Sequence, residues 1–170
     1  RQMCIRDSFM EGHKWGEFET HLIGEFNVKN CLAVIIAADA WGISKDKIHE
    51  ALKSFKSVKR RMEVRGTENG ITVIDDFAHH PTAVEETLRA LRMKYTGRRL
   101  VAVFEPRSWS SRLAVFQEHY SKAFSYADYV IIAGVYNTAK ASELGKVLDV
   151  SELVERIALQ GKPSYSFPDA

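Results

Sequence analysis

The order of apolar and polar positions divides the chain into a helical first part and an alternating second part. Residues 28–41 are a long apolar run, and its length and alanine content favour a buried helix over a strand. Gly42 supplies the left-handed position that ends this helix, and Ser44 caps a second helix, which extends through Phe55. A weakly alternating stretch, residues 17–23, predicts a strand before this helical pair.

Short apolar strands alternate with amphipathic helices after a turn at Asn69-Gly70, which predicts a hairpin or a closely spaced strand pair. The predicted strands are 71–75, 100–104 and 129–133, and the predicted helices are 81–95, 111–126 and 150–159. Strands that are apolar on both faces predict a parallel sheet covered by helices on both sides. The second part is therefore expected to be a doubly wound, mostly parallel α/β domain, truncated after a last strand near residues 164–168.

A basic connector, residues 57–61, marks the predicted boundary between the two parts, which we place at 9–59 and 60–170. The first eight residues have no periodicity that joins them to the rest of the chain. Residues 1–8 are therefore expected to be a tail or a boundary artefact.

Composition narrows the class of protein. The chain is 45% hydrophobic and 27% charged, which is typical of a globular domain, and its net charge of +2 gives no general attraction to nucleic acid or an anionic membrane. Cys4 and Cys31 have no metal-ligand spacing, so a reducing cytoplasm fits best. No apolar stretch of about 18 residues and no signal-peptide core occur, so a protein that is neither secreted nor membrane-spanning is expected.

Polar residues follow three successive strands of the predicted sheet. They occupy residues 75–81, 105–112 and 134–140. Because ligands of open parallel sheets bind at the carboxyl ends of the strands, we expect the site where these loops meet.

The first loop contains two carboxylates followed by two imidazoles, Asp75, Asp76, His79 and His80. Such a set could bind a divalent metal, act as acid and base, or hold a ribose and phosphate. The alternative is structural: Asp76 turns the chain and a histidine caps the next helix. The spacing does not form a recognised zinc pattern.

The second loop contains Arg107 and Arg112 around three serines, which suits an anionic carboxylate or phosphate near a helix N-terminus. The alternative for Arg112 is a surface salt bridge within its own helix. Three aromatic residues, Trp41, Trp109 and Tyr136, are assigned to packing by default. The sequence contains no phosphate-binding P-loop. It also contains no Gly-x-Gly-x-x-Gly turn after a strand, so nothing in it supports a nicotinamide or flavin cofactor.

Four ordered motifs resemble the Mur ligases. These are Gly24 to Ala33 (GEFNVKNCLA), Arg60 to Glu63 (RRME), Ile74 to Thr82 (IDDFAHHPT) and Phe104 to Ser108 (FEPRS). The resemblance covers residues 12–170 and implies the helical end of an ATP-binding central domain followed by a truncated, Rossmann-like C-terminal domain.

The resemblance implies a bacterial ATP-dependent ligase of peptidoglycan recycling. ATP would convert the carboxyl of UDP-N-acetylmuramate to an acyl phosphate, and an incoming amine would then attack the acyl carbon and displace phosphate. The loop at 105–108 favours the tripeptide L-Ala-γ-D-Glu-meso-diaminopimelate as the amine, with L-alanine as the alternative. The P-loop lysine and the Mg²⁺ ligands are expected before residue 1, so the fragment is expected to be inactive alone.

The resemblance also assigns nucleotide contacts residue by residue. Asn27 and Asn30 match asparagines near the adenine, and Phe26 stands where the family often has histidine. Arg61 matches a connector arginine that reaches the nucleotide, and Asp76 matches an acidic residue that contacts its ribose.

The remaining matches lie around the reacting centre. His79 and His80 match a loop that faces it, and Arg107, Ser108 and Arg112 match the loop where the incoming peptide sits. A hypothesis of a different class is a non-catalytic peptide- or nucleotide-binding module on the same fold.

Overall fold

A computed structural model describes residues 4–10 and 12–168, with side chains from residue 12 onward. The chain divides at Val73/Ile74 into two compact units. The elements up to and across this division are β1 (Cys4–Met10), β2 (His13–Thr20), α1 (Glu25–Ala40), α2 (Lys45–Ser54), β3 (Glu63–Glu68) and β4 (Ile71–Asp75).

Residues 4–8 of the predicted tail at 1–8 belong to a strand, and residues 1–3 lie outside the described residues. Cys4–Met10 is a strand that pairs antiparallel with β2, from Cys4 opposite Thr20 to Met10 opposite His13. Strand pairing is made by backbone N–H and C=O groups, so a segment without side-chain periodicity can still add a strand.

The predicted helical pair is present, and Gly42, at φ 76°, lies between the two helices. The side chains buried in the first unit are Phe18, Ile35, Ile48 and Leu52. Of helix α1, only Ile35 is buried, while Val34 and Ile36 are exposed. The expectation of a buried α1 is therefore wrong for the described residues, because a helix that is apolar all round needs covering on every side and only one side is covered here.

The Asn69-Gly70 turn connects β3 and β4, which pair with each other as a two-stranded sheet. Asn69 has φ 49° and Gly70 has φ 77°, the two positive values that a type I′ hairpin turn requires. The hairpin predicted from these two residues is confirmed.

The second unit is an α/β structure with a parallel sheet, as predicted. Its elements are α3 (Pro81–Lys94), β5 (Val101–Phe104), a 3₁₀ turn (Ala114–Phe116), α4 (Gln117–Ala123), β6 (Tyr129–Ala133), α5 (Thr138–Ser142), α6 (Val150–Ala158) and β7 (Ser164–Phe167). The strand order is β5-β6-β7, and both strand pairs are parallel.

One face of this sheet forms the core of the second unit. Ala102, Phe104, Val130 and Ile132 pack with side chains of α3, α4 and α6 in one buried cluster. On the opposite face, Val103 is 72% exposed. The expectation that helices cover both sides is therefore not met within the described residues, because the connections from β5 to β7 place their helices on the same side.

Asp128 connects the end of α3 to the start of β5. Its carboxylate accepts a hydrogen bond from the Leu100 backbone N–H at 2.7 Å and lies 2.7 Å from Nη2 of Arg92. The Arg92 contact first, and the Leu100 hydrogen bond second, hold the pKa of Asp128 below its usual range. The carboxylate therefore stabilises the fold at neutral pH, and this contribution is lost as the pH falls below about 4 through the lowered pKa.

We expect Asp128→Asn in the full-length gene product to lower the free energy of unfolding by about 0.5–1 kcal/mol at pH 7, because both partners are still partly exposed to water. The difference from wild type should shrink as the pH is lowered below about 4. Thermal unfolding of both proteins across this pH range measures it, with the exposed Glu155→Gln as the matched control. A deficit that does not change with pH would contradict the assignment.

No helix in the described part of the chain is long and apolar enough to cross a membrane.

Candidate functional site

The loops that follow β5 and β6 are in direct contact, as expected for the carboxyl edge of a parallel sheet. The Tyr136 N–H donates to the Pro106 carbonyl at 3.2 Å. The loop after β4 is held by a different contact, since the Tyr120 hydroxyl donates to the His79 carbonyl. The loops after β5 and β6 thus lie at one edge of the parallel sheet, whereas β4 pairs with β3 in a separate sheet and the loop after it is bonded to α4. The expectation that all three loops follow strands of one sheet is therefore wrong for the first loop.

Asp76 shapes the loop after β4. Its Oδ1 accepts a hydrogen bond from the Ala78 N–H at 2.8 Å and another from the Thr87 hydroxyl at 3.3 Å. The first is an Asx turn, which is the structural alternative that the sequence left open. These hydrogen bonds do not test whether Asp76 contacts a ribose, so that contact stays a prediction.

His79 and His80 occupy different surroundings although they are neighbours. The Nδ1 of His79 lies 2.9 Å from the Phe77 carbonyl oxygen. Because that oxygen can only accept, Nδ1 carries the hydrogen, and Nε2 is the nitrogen that can accept one in the neutral tautomer. His80 is exposed at the N-terminus of α3 without capping it through its side chain, and its ring lies edge-on to Phe116 at 4.8 Å.

Arg107 extends from the loop after β5 and is 63% exposed. Its guanidinium carbon lies 4.4 Å from the centre of the Tyr136 ring, and Nη1 lies 3.6 Å from a Glu105 carboxylate oxygen. Stacking on the ring restricts the motion of a long side chain while its donors stay accessible to water. This arrangement can bind an anion.

Ser108 forms its hydrogen bonds within its own loop and does not lie at a helix N-terminus. Its hydroxyl donates to Ser111 Oγ at 2.9 Å, and its oxygen accepts from the Ser111 N–H at 3.2 Å. The predicted helix at 111–126 is wrong at its start, because α4 begins at Gln117 after a 3₁₀ turn. The physical reason is that the serine pair and a bridge between Leu113 and Val147 provide the backbone with non-helical partners.

Arg112 is buried, with 4% of its surface exposed. Nη1 donates to the Tyr136 carbonyl at 3.2 Å, and the guanidinium lies 4.9 Å from the centre of the Trp109 ring. The alternative of a surface salt bridge within a helix is wrong, since Arg112 is neither at the surface nor in a helix. Nε is buried and has no hydrogen-bond partner in the described part of the chain.

Sequence reasoning missed four residues of this edge or gave them another role. Trp109, assigned to packing, is 58% exposed, and Tyr136 is exposed as well. Lys140, at the third position of α5, lies with Nζ 5.3 Å from the centre of the Trp109 ring. Tyr120 carried no signal in the sequence, because a tyrosine on the core face of a helix is normally only packing.

The predicted nucleotide residues of the first unit have different environments. Asn27 donates from Nδ2 to the Ile23 carbonyl at 2.7 Å in the first turn of α1, whereas Asn30 is exposed. Arg61 is exposed and forms no ion pair with any described residue. Glu63 fixes the connector beside it by accepting the Arg60 N–H at 2.9 Å, and this hydrogen bond lowers the pKa of Glu63.

A metal centre is not evident in residues 12–168, where no three His, Cys, Asp or Glu side chains are grouped closely enough to hold an ion.

Comparison with known proteins gives a family match over most of the second part of the chain. Residues 60–167 match the family described as Mur ligase, glutamate ligase domain. A UDP-N-acetylmuramate–L-alanine ligase from Roseiflexus sp. (strain RS-1) is 40% identical over 121 residues, covering 71% of this chain and 26% of that protein.

Two further relatives extend the comparison. The UDP-N-acetylmuramate–L-alanyl-gamma-D-glutamyl-meso-2,6-diaminoheptandioate ligase of Escherichia coli (strain K12) is 43% identical over 124 residues, covering 72% of this chain and 27% of that protein. The crystal structure of a UDP-N-acetylmuramate–alanine ligase from Thermotoga maritima superimposes with a TM-score of 0.73 at 26% identity, covering 92% of this chain and 32% of that one. The chain spans about a quarter to a third of the length of the curated relatives it matches.

Proposed function

Because the chain belongs to the Mur ligase family, we propose that it is part of an ATP-dependent ligase that joins the amino group of an amino acid or peptide to the carboxyl group of UDP-N-acetylmuramate. Arg107 carries this proposal. It is a stacked, solvent-accessible guanidinium at the carboxyl edge of a parallel sheet, where ligands of this fold class bind. Such a group holds the carboxylate of an incoming acceptor.

In the proposed reaction, ATP transfers its terminal phosphoryl group to the muramoyl carboxylate, and the acceptor amine attacks the resulting acyl phosphate and releases phosphate. The amine must lose a proton as the amide forms. His79 has an imidazole nitrogen, Nε2, that can take this proton or hold the amine in place, since Nδ1 is engaged by the Phe77 carbonyl. His80 lies beside it at the start of α3 and is assigned to positioning.

Contacts with the nucleotide are proposed for four residues, each from its match to the family's motifs: Asn27, Asn30, Arg61 and Asp76. Arg61, exposed and without an ion pair in the described residues, fits contact with phosphate oxygens. Asn27, Asn30 and Asp76 are proposed to contact adenine and ribose. Mg²⁺ neutralises phosphate charge in such reactions, and no site for it is proposed within residues 12–168.

Two acceptors compete, and different observations favour each. Most relatives at comparable identity bear L-alanine ligase names, which favours L-alanine. The Glu105-Pro106-Arg107-Ser108 loop and the relative from Escherichia coli favour the tripeptide L-Ala-γ-D-Glu-meso-diaminopimelate, which would place the protein in peptidoglycan recycling.

Phosphate release by the full-length gene product, with ATP, Mg²⁺ and UDP-N-acetylmuramate held constant, tests the proposal. L-Alanine and the tripeptide are supplied in parallel reactions. Turnover with either supports the ligase, and the preferred acceptor decides between the two candidates. If neither acceptor leads to phosphate release, the ligase proposal is contradicted and a non-catalytic binding module is favoured.

A further inference from the structure

The amino edge of the parallel sheet lies opposite the loops after β5 and β6. It is built from the three loops that precede the strands, residues 95–100, 124–128 and 159–163. These loops contact one another, since the Asp128 N–H donates to the Leu100 carbonyl at 2.8 Å. The Lys162 ammonium donates to the Ala127 carbonyl, also at 2.8 Å. Because parallel strands all begin at one edge, the three loops form one connected surface.

Positive charge is concentrated at this amino edge. The three loops contain one acidic residue, Asp128, and it is already paired with Arg92 at 2.7 Å. The basic residues of the loops and of the last position of α3 are Lys94, Arg98, Arg99 and Lys162. No carboxylate of the described residues lies within ion-pair distance of Lys94, Arg99 or Lys162. The edge therefore attracts anions at short range, although the net charge of the whole chain is only +2.

Two exposed apolar side chains lie among these cations. Helices α3 and α6 end at this edge, because each is followed after a short loop by the start of a strand. Met93, in the last turn of α3, is 72% exposed, and Leu159, directly after α6, is 87% exposed. Cations attract anionic headgroups, and apolar side chains enter the boundary between headgroups and acyl chains. Both chemistries on one edge are typical of a protein surface that binds an anionic bilayer.

Two partly buried tyrosines add a third feature of such surfaces. The Lys94 ammonium lies 5.5 Å from the centre of the Tyr95 ring. The Arg99 guanidinium lies 5.8 Å from the centre of the Tyr129 ring. Tyrosine favours the boundary between lipid and water, because its ring is apolar and its hydroxyl is polar. Each ring also restrains the cation beside it, so less freedom is lost when a headgroup binds.

We propose that the amino-edge surface binds reversibly to a bilayer that contains anionic lipids. This surface consists of Met93, Lys94, Arg98, Arg99, Leu159 and Lys162. Lipid phosphates pair with its cations, while its methionine and leucine enter the headgroup region. An acidic protein offers the same charge, but the two exposed apolar side chains favour the bilayer. The loops after β5 and β6 lie at the opposite edge, so the bound protein keeps them open to water.

Sedimentation of the full-length gene product with lipid vesicles tests the charged part of the surface. One set of vesicles contains phosphatidylglycerol and phosphatidylcholine in equal amounts, and the other contains phosphatidylcholine alone. We expect binding to the anionic vesicles only, and weaker binding as salt is raised, because exposed charges are screened. Lys94→Gln and Arg99→Gln should each weaken binding about fivefold.

Lys146→Gln is the matched control, because Lys146 is an exposed lysine that precedes α6 at the opposite edge. It should bind the anionic vesicles like wild type. Lys94 and Arg99 are exposed, so their variants are expected to fold, and thermal unfolding checks this. Equal binding to both sets of vesicles, no binding to either, or undiminished binding of the two variants overturns the proposal.

A variant that carries both Met93→Ser and Leu159→Ser separates a bilayer from an acidic protein as the partner. Its binding to the anionic vesicles should fall about threefold, whereas its binding to polyglutamate, which offers charge alone, should not change. If it binds the vesicles like wild type, and polyglutamate binds as tightly as the vesicles, the surface recognises charge alone. That result fits an acidic protein and overturns the bilayer. Neither result affects the proposed ligase function, which phosphate release tests separately.

Discussion

Replacing Arg107 by alanine is expected to weaken binding of the acceptor by about 2–4 kcal/mol while ATP affinity stays near the wild-type value. The guanidinium is held in place by the Tyr136 ring at 4.4 Å, so little freedom is lost when an anion binds. Glu105, at 3.6 Å, is too distant for a strong hydrogen bond and does not saturate the five donors.

The measurement is the dissociation constant of the acceptor and of ATP for wild type and Arg107→Ala in the full-length gene product. Arg156→Ala is the matched control, because Arg156 is paired with Glu152 on the exposed side of α6 and lies outside the three loops. Equal losses for the acceptor and for ATP would mean that Arg107 supports the loop as a whole and does not hold a carboxylate.

Much of the second unit follows from local sequence pattern. Strand β6 has its predicted bounds, residues 129–133, and α3 is predicted to within one residue at its end. Both elements have strong periodicity and clear end signals, such as Pro81 at the start of α3. Parallel pairing follows from the alternation of such strands with helices, and it is confirmed.

The errors occur where a residue's environment is decided by distant partners. The start of α4 is displaced to Gln117 because residues near 113 bond with residues near 147, which no local window contains. Val103 on the second face of the sheet is apolar and yet exposed. An apolar residue in a strand can be buried, but the sequence of the strand does not say which element, if any, covers it.

The sequence predicts which loops contain the candidate site residues, but it does not predict the contacts between their side chains. Parallel topology places the polar residues after β5 and β6 at one edge, whereas β4 pairs with β3 in a separate sheet, so the position of the loop after β4 does not follow from this topology. The burial of Arg112 and the position of Lys140 against Trp109 join segments about 30 residues apart. Side-chain contacts at such separation depend on the loop conformations, which depend on the whole unit.

Tyr120→Phe is expected to lower kcat of the full-length gene product about 10–100-fold, with smaller changes in KM for ATP and for the acceptor. Tyr120 is fully buried, and its hydroxyl donates to the carbonyl of His79. Burial raises the pKa of the Tyr120 phenol above its usual value, so the hydroxyl keeps its proton at any working pH. It is therefore a constant restraint on the loop that holds the two histidines.

Phenylalanine removes this restraint and little else. The ring keeps its contacts with Phe104 and Phe116, whose centres lie 5.1 and 6.3 Å away, so the core stays filled. The lost hydrogen bond should reduce the free energy of unfolding by about 1–2 kcal/mol. Turnover measured well below the unfolding temperature then reports on loop position and not on the folded fraction.

Tyr126→Phe is the control, because Tyr126 packs against the same core without a hydroxyl hydrogen bond in the described residues. A small error in the position of His79 is costly because its Nε2 must meet the acceptor amine at hydrogen-bond distance. If Tyr120→Phe loses stability but keeps its kcat, the hydroxyl serves the fold alone. If kcat falls while KM for ATP is preserved, Tyr120 is a positioning residue that acts through the His79 backbone.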